Sequence, residues 1–342
     1  MAIINMDTTT HALAGYIIVK AGLNRDTGRW GTIAGLSGSI FPDVDGILGI
    51  FLGTEFMIEY HRGITNSIFF IIPISVLLAW FFVRISGIKK FWSYFLIFLV
   101  EILAHTFMDL ITSFGTMILA PFLKIRFSLD WVFIIDIYLS LIFLFPIIAI
   151  FVWKKRSNLI AKISLIVAVL YIFLCAYNHN WALDLTKRYS SQNAIPVQRL
   201  ASLPQPLSPF LWGNYILTEK KVYTGLVNLI GDSKKVKSLD GNFLSRFFSR
   251  YQPIQLIKYH AWDRFDDSPW VKKALRLEGV QTFLWFARFP TARYRGLIDR
   301  NNRVEFFDLR FGLLERRTPF LYVVDFNQQG NVVYQGFLRD SN

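Results

Sequence analysis

Cysteine and charge are both scarce in this chain of 342 residues. There is one cysteine, Cys175, so no intramolecular disulfide can form and cysteine carries no signal about redox compartment. Asp, Glu, Lys and Arg together make only 18% of the residues, against about 25% in ordinary soluble proteins. That shortage, beside 53% hydrophobic and 17% aromatic residues, excludes a disordered chain, a coiled coil and an ordinary soluble enzyme. A secretory leader is also missing. The first residues have no basic segment and no small-residue cleavage site, so the start is expected to be retained.

The few charges are unevenly placed. Residues 1–190 hold 15 Lys and Arg against 11 Asp and Glu, whereas the remaining 152 residues hold 22 against 13. The first part is membrane-like and the second reads as a globular, basic domain. Four apolar runs stand out, at 67–85, 91–119, 131–153 and 159–182. Each reaches about 20 residues, enough to cross a hydrocarbon core of roughly 30 Å. Lys89 and Lys90 lie in one inter-run loop, and Lys154, Lys155 and Arg156 lie in another. In an up-and-down arrangement these loops share one side, which the positive-inside rule places in the cytoplasm. Everything after residue 182 is then expected outside it. The stretches 12–23 and 30–40 are apolar but only about half a span each, and read as a helical hairpin or re-entrant pair. Such a hairpin would bring His11 back beside Phe41-Pro42-Asp43-Val44-Asp45-Gly46.

Ionisable residues inside apolar runs are costly and usually face a protein interior or a water-filled cavity. Here they form a set. His105 and Asp109 are i and i+4 on one helix face, with Glu101 one turn earlier and Thr112 extending the face. His61-Arg62-Gly63 precedes the first run and Asp136 opens the third. His61, Asp109 and Asp136 are expected near one membrane boundary, with His11, Asp43 and Asp45 delivered to it by the hairpin. Three His and four Asp at one level make a metal-site composition, because neutral imidazole and carboxylate suit Zn²⁺, Mn²⁺ or Fe. Each residue alone has a plainer reading: His105–Asp109 as a satisfied core pair, and Pro-Asp-x-Asp-Gly as a solvated turn.

Five motifs occur in order: Asp7-Thr8-x-Thr10-His11, Phe41-Pro42-Asp43-Val44-Asp45, His61-Arg62-Gly63-Ile64-Thr65-Asn66-Ser67, His105-x3-Asp109 with Thr112-Ser113-Phe114-Gly115-Thr116, and Asp130-Trp131 through Asp136. This set resembles the YdjM/YfhP-type family of bacterial inner-membrane proteins, proposed metal-dependent hydrolases. The motifs cover residues 7–136, and the likeness extends loosely through Pro209-Phe210-Leu211-Trp212 and Asp308-Leu309-Arg310-Phe311. The resemblance implies a distant relation to zinc-dependent phospholipase C and S1/P1-type nucleases, and so an α-helical, multi-zinc phosphodiesterase site. Two departures are visible. The family commonly has His where this chain has Asn66, a poor zinc ligand, and Pro where this chain has Ile137. Asn66 is therefore left out of the expected ligands.

The expected chemistry is metal-assisted hydrolysis, in which a divalent ion lowers the pKa of bound water towards ~7. His11, Asp43, His61, His105 and Asp109 are the first-choice ligands. Asp136 is a further ligand or an orienting carboxylate, as is Asp45, which is grouped with the catalytic residues. Glu101 is a candidate general base. Arg62 could pair with a substrate phosphate or anchor the chain at the lipid headgroups. A site at the bilayer boundary points to a phospholipid or lipid-linked phosphate.

Beyond the membrane runs, Pro196, Pro204, Pro206 and Pro209 mark a linker over 191–212. Residues 213–342 are then expected to form a small α+β domain with an antiparallel sheet. Strands are expected at 215–217, 222–230, 280–289, 304–311, 320–326 and 331–338, with helices at 243–251 and 269–277 and a hairpin loop at 327–330. The basic surface would contact anionic lipid headgroups rather than nucleic acid. His179 and His260 have no motif around them. Two competing readings remain: a metal-binding or transporting membrane protein without hydrolysis, and a membrane anchor for the basic domain.

Overall fold

The computed structural model describes residues 2–232, 243–311 and 320–338. They fall into two compact units. The first comprises Met1–Phe51, Tyr60–His179 and Pro204–Pro209, and the second Leu52–Glu59, Asn180–Leu203 and Phe210–Asn342. The first is helical. The expected N-terminal hairpin is present: α1 (Ala2–Ile18) runs into a π-turn (Val19–Leu23), and α2 (Gly28–Ile40) returns. The reversal uses Gly22 at φ 137° and Gly28 at φ 55°, conformations that cost a residue with a Cβ far more. A 3₁₀ turn, Phe41–Asp43, then leads into α3 (Val44–Leu52).

Helix α4 (Thr54–Tyr60) precedes α5 (Ile68–Ser86) and α6 (Phe91–Leu110). Helices α7 (Ile137–Val152) and α8 (Ser157–Gln192) follow. Ser67 caps α5 by accepting the Phe69 N–H, and Gly87 closes it in the left-handed region. Among the described residues, α5, α6 and α8 are long and apolar enough to cross a membrane. Four spans were expected, and the third falls short. Helix α7 has 16 residues, about 24 Å at the helical rise, because Asp136 acts as its N-cap and accepts the Leu139 N–H at 2.8 Å. The second run is also shortened, since α6 stops at Leu110 and the chain turns over 111–119. The outward faces carry Leu77, Phe145 and Leu170, each 62% exposed, as lipid-facing helices require.

Small residues set the packing. On α2, Gly31, Ala34, Gly35 and Gly38 are buried at i, i+3, i+4 and i+7, so one face is bare backbone. A Cβ at Gly38 would come within 3.0–3.1 Å of Phe98 and Glu101 on α6. This close approach is how helices pack where no hydrophobic effect drives them together. Two apolar clusters result, one joining α2, α5 and α6 through Ala34, Ala79 and Phe98, the other joining α1, α7 and α8 through Ile17, Phe143 and Ala168.

The second unit contains two sheets. One has strands β1 (Arg199–Pro204), β2 (Leu211–Leu217), β3 (Lys221–Asn228) and β4 (Gln252–Pro253) in that order, with β5 (His260–Asp263) also on β3. The β2–β3 and β3–β5 pairs are antiparallel, and the two-residue β3–β4 pair is parallel. The other is an antiparallel meander of β6 (Pro290–Ile298), β7 (Asn301–Asp308), β8 (Tyr322–Phe326) and β9 (Val332–Phe337). Helices α9 (Phe243–Ser249), α10 (Pro269–Ala274) and α11 (Glu278–Phe286) complete it. The hairpin loop at 327–330 is as expected, closed by the Gly330 N–H to the Asn327 carbonyl with Gly330 at φ 85°.

Two expectations fail here. Residues 280–289 are not a strand. Val280, Phe283 and Phe286 recur every three residues and are buried together on α11, and that period, not the strand-favouring side chains, decides the structure. The 191–212 segment is not a free linker, because α8 continues to Gln192 and β1 lies within it with its last four residues buried. Pro204 is the last residue of that strand, and Pro196, Pro206 and Pro209 lie outside it. Phe283 lies against Phe306, Tyr322 and Phe337 at ring-centroid separations of 5.9–6.3 Å. Phe283→Ala is expected to destabilise the second unit by about 3–5 kcal/mol and Phe283→Leu by clearly less, read from the denaturation midpoint of the whole chain in detergent.

Candidate metal centre

Three stretches of chain meet at one buried point. Helix α1 contributes His11, the 3₁₀ turn after α2 contributes Asp43, and α6 contributes His105 and Asp109. All four are at most 4% exposed. His11, Asp43 and His105 each offer one ligand atom, and these atoms lie within 4.8 Å of one another. The two imidazoles are stacked, with ring centroids 3.8 Å apart and planes inclined by 23°.

His105 is oriented from behind. Its Nδ1–H donates to the Ser39 carbonyl at 2.6 Å, which fixes the tautomer and leaves the Nε2 lone pair pointing inwards. Nε2 lies 3.5 Å from Asp43 Oδ1 and 3.3 Å from Asp109 Oδ2. His11 Nε2 lies 3.2 Å from Asp109 Oδ1. Asp43 is held by the Thr8 hydroxyl, which donates to Oδ2 at 2.7 Å. Ligands about 2.0–2.2 Å from a tetrahedral ion stand roughly 3.3–3.6 Å apart, and the His105 Nε2–Asp43 Oδ1 spacing of 3.5 Å lies in that range. The donor set of two imidazoles and a carboxylate therefore fits a divalent ion, with His11, Asp43 and His105 as its holders.

Asp109 has a different role from that expected. Arg62 Nη2 pairs with its Oδ1 at 2.9 Å, and Asn66 Nδ2 donates to its Oδ2. Arg62 Nη1 also donates to the Asp109 carbonyl at 3.3 Å and to Thr112 Oγ1 at 2.8 Å. The guanidinium is 2% exposed and lies over the Phe114 ring at 5.2 Å. Arg62 is thus a buried counter-charge and not an anchor at the headgroups. Its backbone is left-handed at φ 60°, a conformation that costs a non-glycine residue about 1–2 kcal/mol. In that conformation its N–H reaches Asp45 Oδ2 at 3.1 Å while its side chain reaches Asp109. Two carboxylates and one guanidinium leave the cluster one negative charge in excess when both imidazoles are neutral, which favours a cation in it.

The remaining expected residues are placed elsewhere. His61 does not join His11, Asp43 and His105. Its Nδ1–H donates to Asp45 Oδ1 at 2.8 Å, and Asp45 also accepts from the Thr65 hydroxyl at 2.6 Å. His61 and Asp45 thus form a neighbouring pair, linked to the cluster through Arg62. Asp136 caps α7 and accepts from the Tyr171 hydroxyl at 2.8 Å. Glu101 is 1% exposed, and among the described residues neither of its oxygens has a hydrogen-bond partner. The Asp7 side chain lies outside the described residues. The sequence reading missed Asn66, set aside as a poor ligand yet fully buried against Asp109. It also missed Ser39, whose backbone carbonyl, not its side chain, does the orienting.

Membrane-length helices around a buried His/Asp cluster define a helical membrane protein with a candidate metal site. The family model of the YdjM inner membrane protein matches residues 6–182, slightly more than half of the chain. The chain belongs to that family. It is also 29% identical over 160 residues to a Bacillus subtilis (strain 168) protein described as the uncharacterized protein YfhP. That match covers 45% of this chain and 48% of the relative, so the chain spans about half the length of the curated relative it matches. No solved structure matches the chain.

Asp109→Leu removes the partner of a fully buried guanidinium. It is expected to cost about 3–5 kcal/mol, whereas Asp109→Leu combined with Arg62→Met costs less than the two single changes together. A double-mutant cycle on melting in detergent measures this coupling.

Proposed function

We propose that this protein is a membrane-bound, metal-dependent hydrolase that cleaves a phosphoester of a lipid or another membrane-associated substrate. The observation that carries the reading is the convergence of His11, Asp43 and His105, with His105 Nε2 turned inwards by the Ser39 carbonyl. When bound, a divalent ion such as Zn²⁺ supplies a water of lowered pKa and polarises a phosphoryl oxygen. The chain's own groups do the rest. Thr8 fixes Asp43, and Arg62 with Asn66 fixes Asp109 beside the Nε2 atoms of both imidazoles. The His61–Asp45 pair is the best-placed general base, because its imidazole is already oriented by a carboxylate. Arg62 is committed to Asp109 and is not assigned to substrate.

A lipid substrate suits a cluster built on a membrane-crossing helix. The clusters Lys89–Lys90 and Lys154–Arg156 support a cytoplasmic position for those two loops, with the second unit on the other side. Detergent-purified protein is expected to carry about one divalent ion per chain by elemental analysis, and His105→Ala or Asp43→Asn to lose most of it. The same variants are expected to lower hydrolysis of phospholipid and soluble phosphodiester by about a hundredfold or more. Folded wild-type protein without stoichiometric metal would overturn the reading. Stoichiometric metal without turnover would leave a metal-binding protein that is not a hydrolase.

The single cysteine makes topology directly measurable. With Cys175→Ser as background, a cysteine at Lys89 or Lys155 is expected to react with an impermeant maleimide only after the membrane is opened. One at Asn193 is expected to react in intact cells.

A further inference from the structure

The second unit holds a cavity of about 270 Å³ that the membrane site does not use. Its charged lining residues are three arginines, Arg199, Arg264 and Arg288, and no carboxylate is among the described residues that line it. Arg199 comes from β1, Arg264 from the chain just after β5, and Arg288 from the turn between α11 and β6. Three separate stretches of sequence thus bring the same charge to one place.

The position of Arg264 is fixed by its backbone. Its N–H donates to the Lys220 carbonyl at 2.8 Å, and its own carbonyl accepts from the Ala292 N–H at 2.9 Å. The guanidinium lies over the Phe265 ring at 4.9 Å, and Nη1 donates to Gln198 Oε1 at 3.4 Å. Its Nε–H is buried and has no acceptor among the described residues. Beside it, Arg199 Nη1 donates to the Arg288 carbonyl at 3.5 Å. Asp308, the acid that acts on Arg199, is occupied. Asp308 accepts the N–H groups of Arg288, Phe289 and Arg310 and the Nε of Arg310. Glu219 also acts on Arg264 from a distance. Partial burial first, and the neighbouring guanidinium second, weaken the hold of Arg199 and of Arg264 on their protons.

A buried donor without an acceptor is costly, and so are like charges around one partly enclosed space. One kind of ligand relieves both: a compact anion with several acceptor oxygens. Planar guanidinium forks match the geometry of phosphate, and several of them can share one phosphate through different oxygens. We propose that this cavity binds a phosphate group, either free or as the headgroup of an anionic phospholipid, with Arg264 as the central donor and Arg199 and Arg288 flanking it. The site is independent of the metal centre and of any hydrolysis there.

The test uses the full chain purified in uncharged detergent, with three probes: inorganic phosphate, glycerol 1-phosphate and a short-chain phosphatidylglycerol. Titration calorimetry is expected to show binding that Arg264→Gln weakens by about tenfold or more, as loss of a charge-assisted pair predicts. Arg264→Lys is expected to lie between. Arg199 is exposed, so Arg199→Gln tests the site without disturbing the core and is expected to weaken binding as well. Lys258→Gln, an equal change of charge at another exposed residue, is expected to have no effect. Binding of all three probes with similar affinity supports recognition of the phosphate group itself. Binding of phosphatidylglycerol alone, still dependent on Arg264 and Arg199, supports a lipid headgroup as the source. Absence of binding for every probe, or binding that neither arginine variant alters, overturns the proposal.

Discussion

The carboxylate of Asp109 sits where four side chains from three parts of the chain meet. Arg62 and Asn66 approach it from the segment before α5, His11 from α1, and His105 from one turn earlier on its own helix. A fully buried carboxylate is tolerated only when charge and hydrogen bonds surround it. The requirement runs both ways: Arg62 can be buried because Asp109 is there, and Asp109 places one oxygen 3.2 Å from His11 Nε2 and the other 3.3 Å from His105 Nε2. The left-handed backbone at Arg62, the buried Asn66 and the packing of α1 against α6 all follow from satisfying this one group.

Around that centre the chain separates two physical problems. Near the site it needs backbones close together, and it uses glycine and alanine on one face of α2 to allow this. Away from the site it needs an apolar exterior, and α5 to α8 supply it with large exposed hydrophobic residues. In the second unit the ordinary rules of water-soluble folding return. An aromatic core around Phe283 buries apolar surface, and β2 and β8 are buried along their whole length. The unequal charge content of the two parts of the sequence reflects these two solvents.

Much of this was legible in the sequence where the signal was local. Membrane-length runs, the His105–Asp109 spacing and the N-terminal hairpin needed only periodicity and the cost of buried charge. Residues whose role depends on partners far along the chain were harder to place. Asp136, read from the sequence as a ligand or orienting carboxylate, caps α7 by accepting the Leu139 N–H, a partner that becomes visible only once the helix start is known. His61 shares a motif with Arg62, but a one-residue step and a left-handed backbone send the two side chains to different carboxylates. The helix at Glu278–Phe286 was hidden by strand-favouring side chains, and β1 by the prolines at its end and around it. Neither the carbonyl of Ser39 nor the gathering of three arginines leaves a pattern in one dimension.

The order of the cluster along the chain also bears on how the molecule is made. His11 and Asp43 leave the ribosome early, but His105 and Asp109 lie at the far end of α6. Between Asp43 and His105 stand α3, α4, α5 and most of α6. During synthesis the hairpin must wait, with its glycine face uncovered, until α6 has been inserted. Only then do the two imidazoles stack and Arg62 find its counter-charge. A chain interrupted before α6 therefore carries two of the three candidate ion holders, His11 and Asp43, and lacks the carboxylate that balances Arg62.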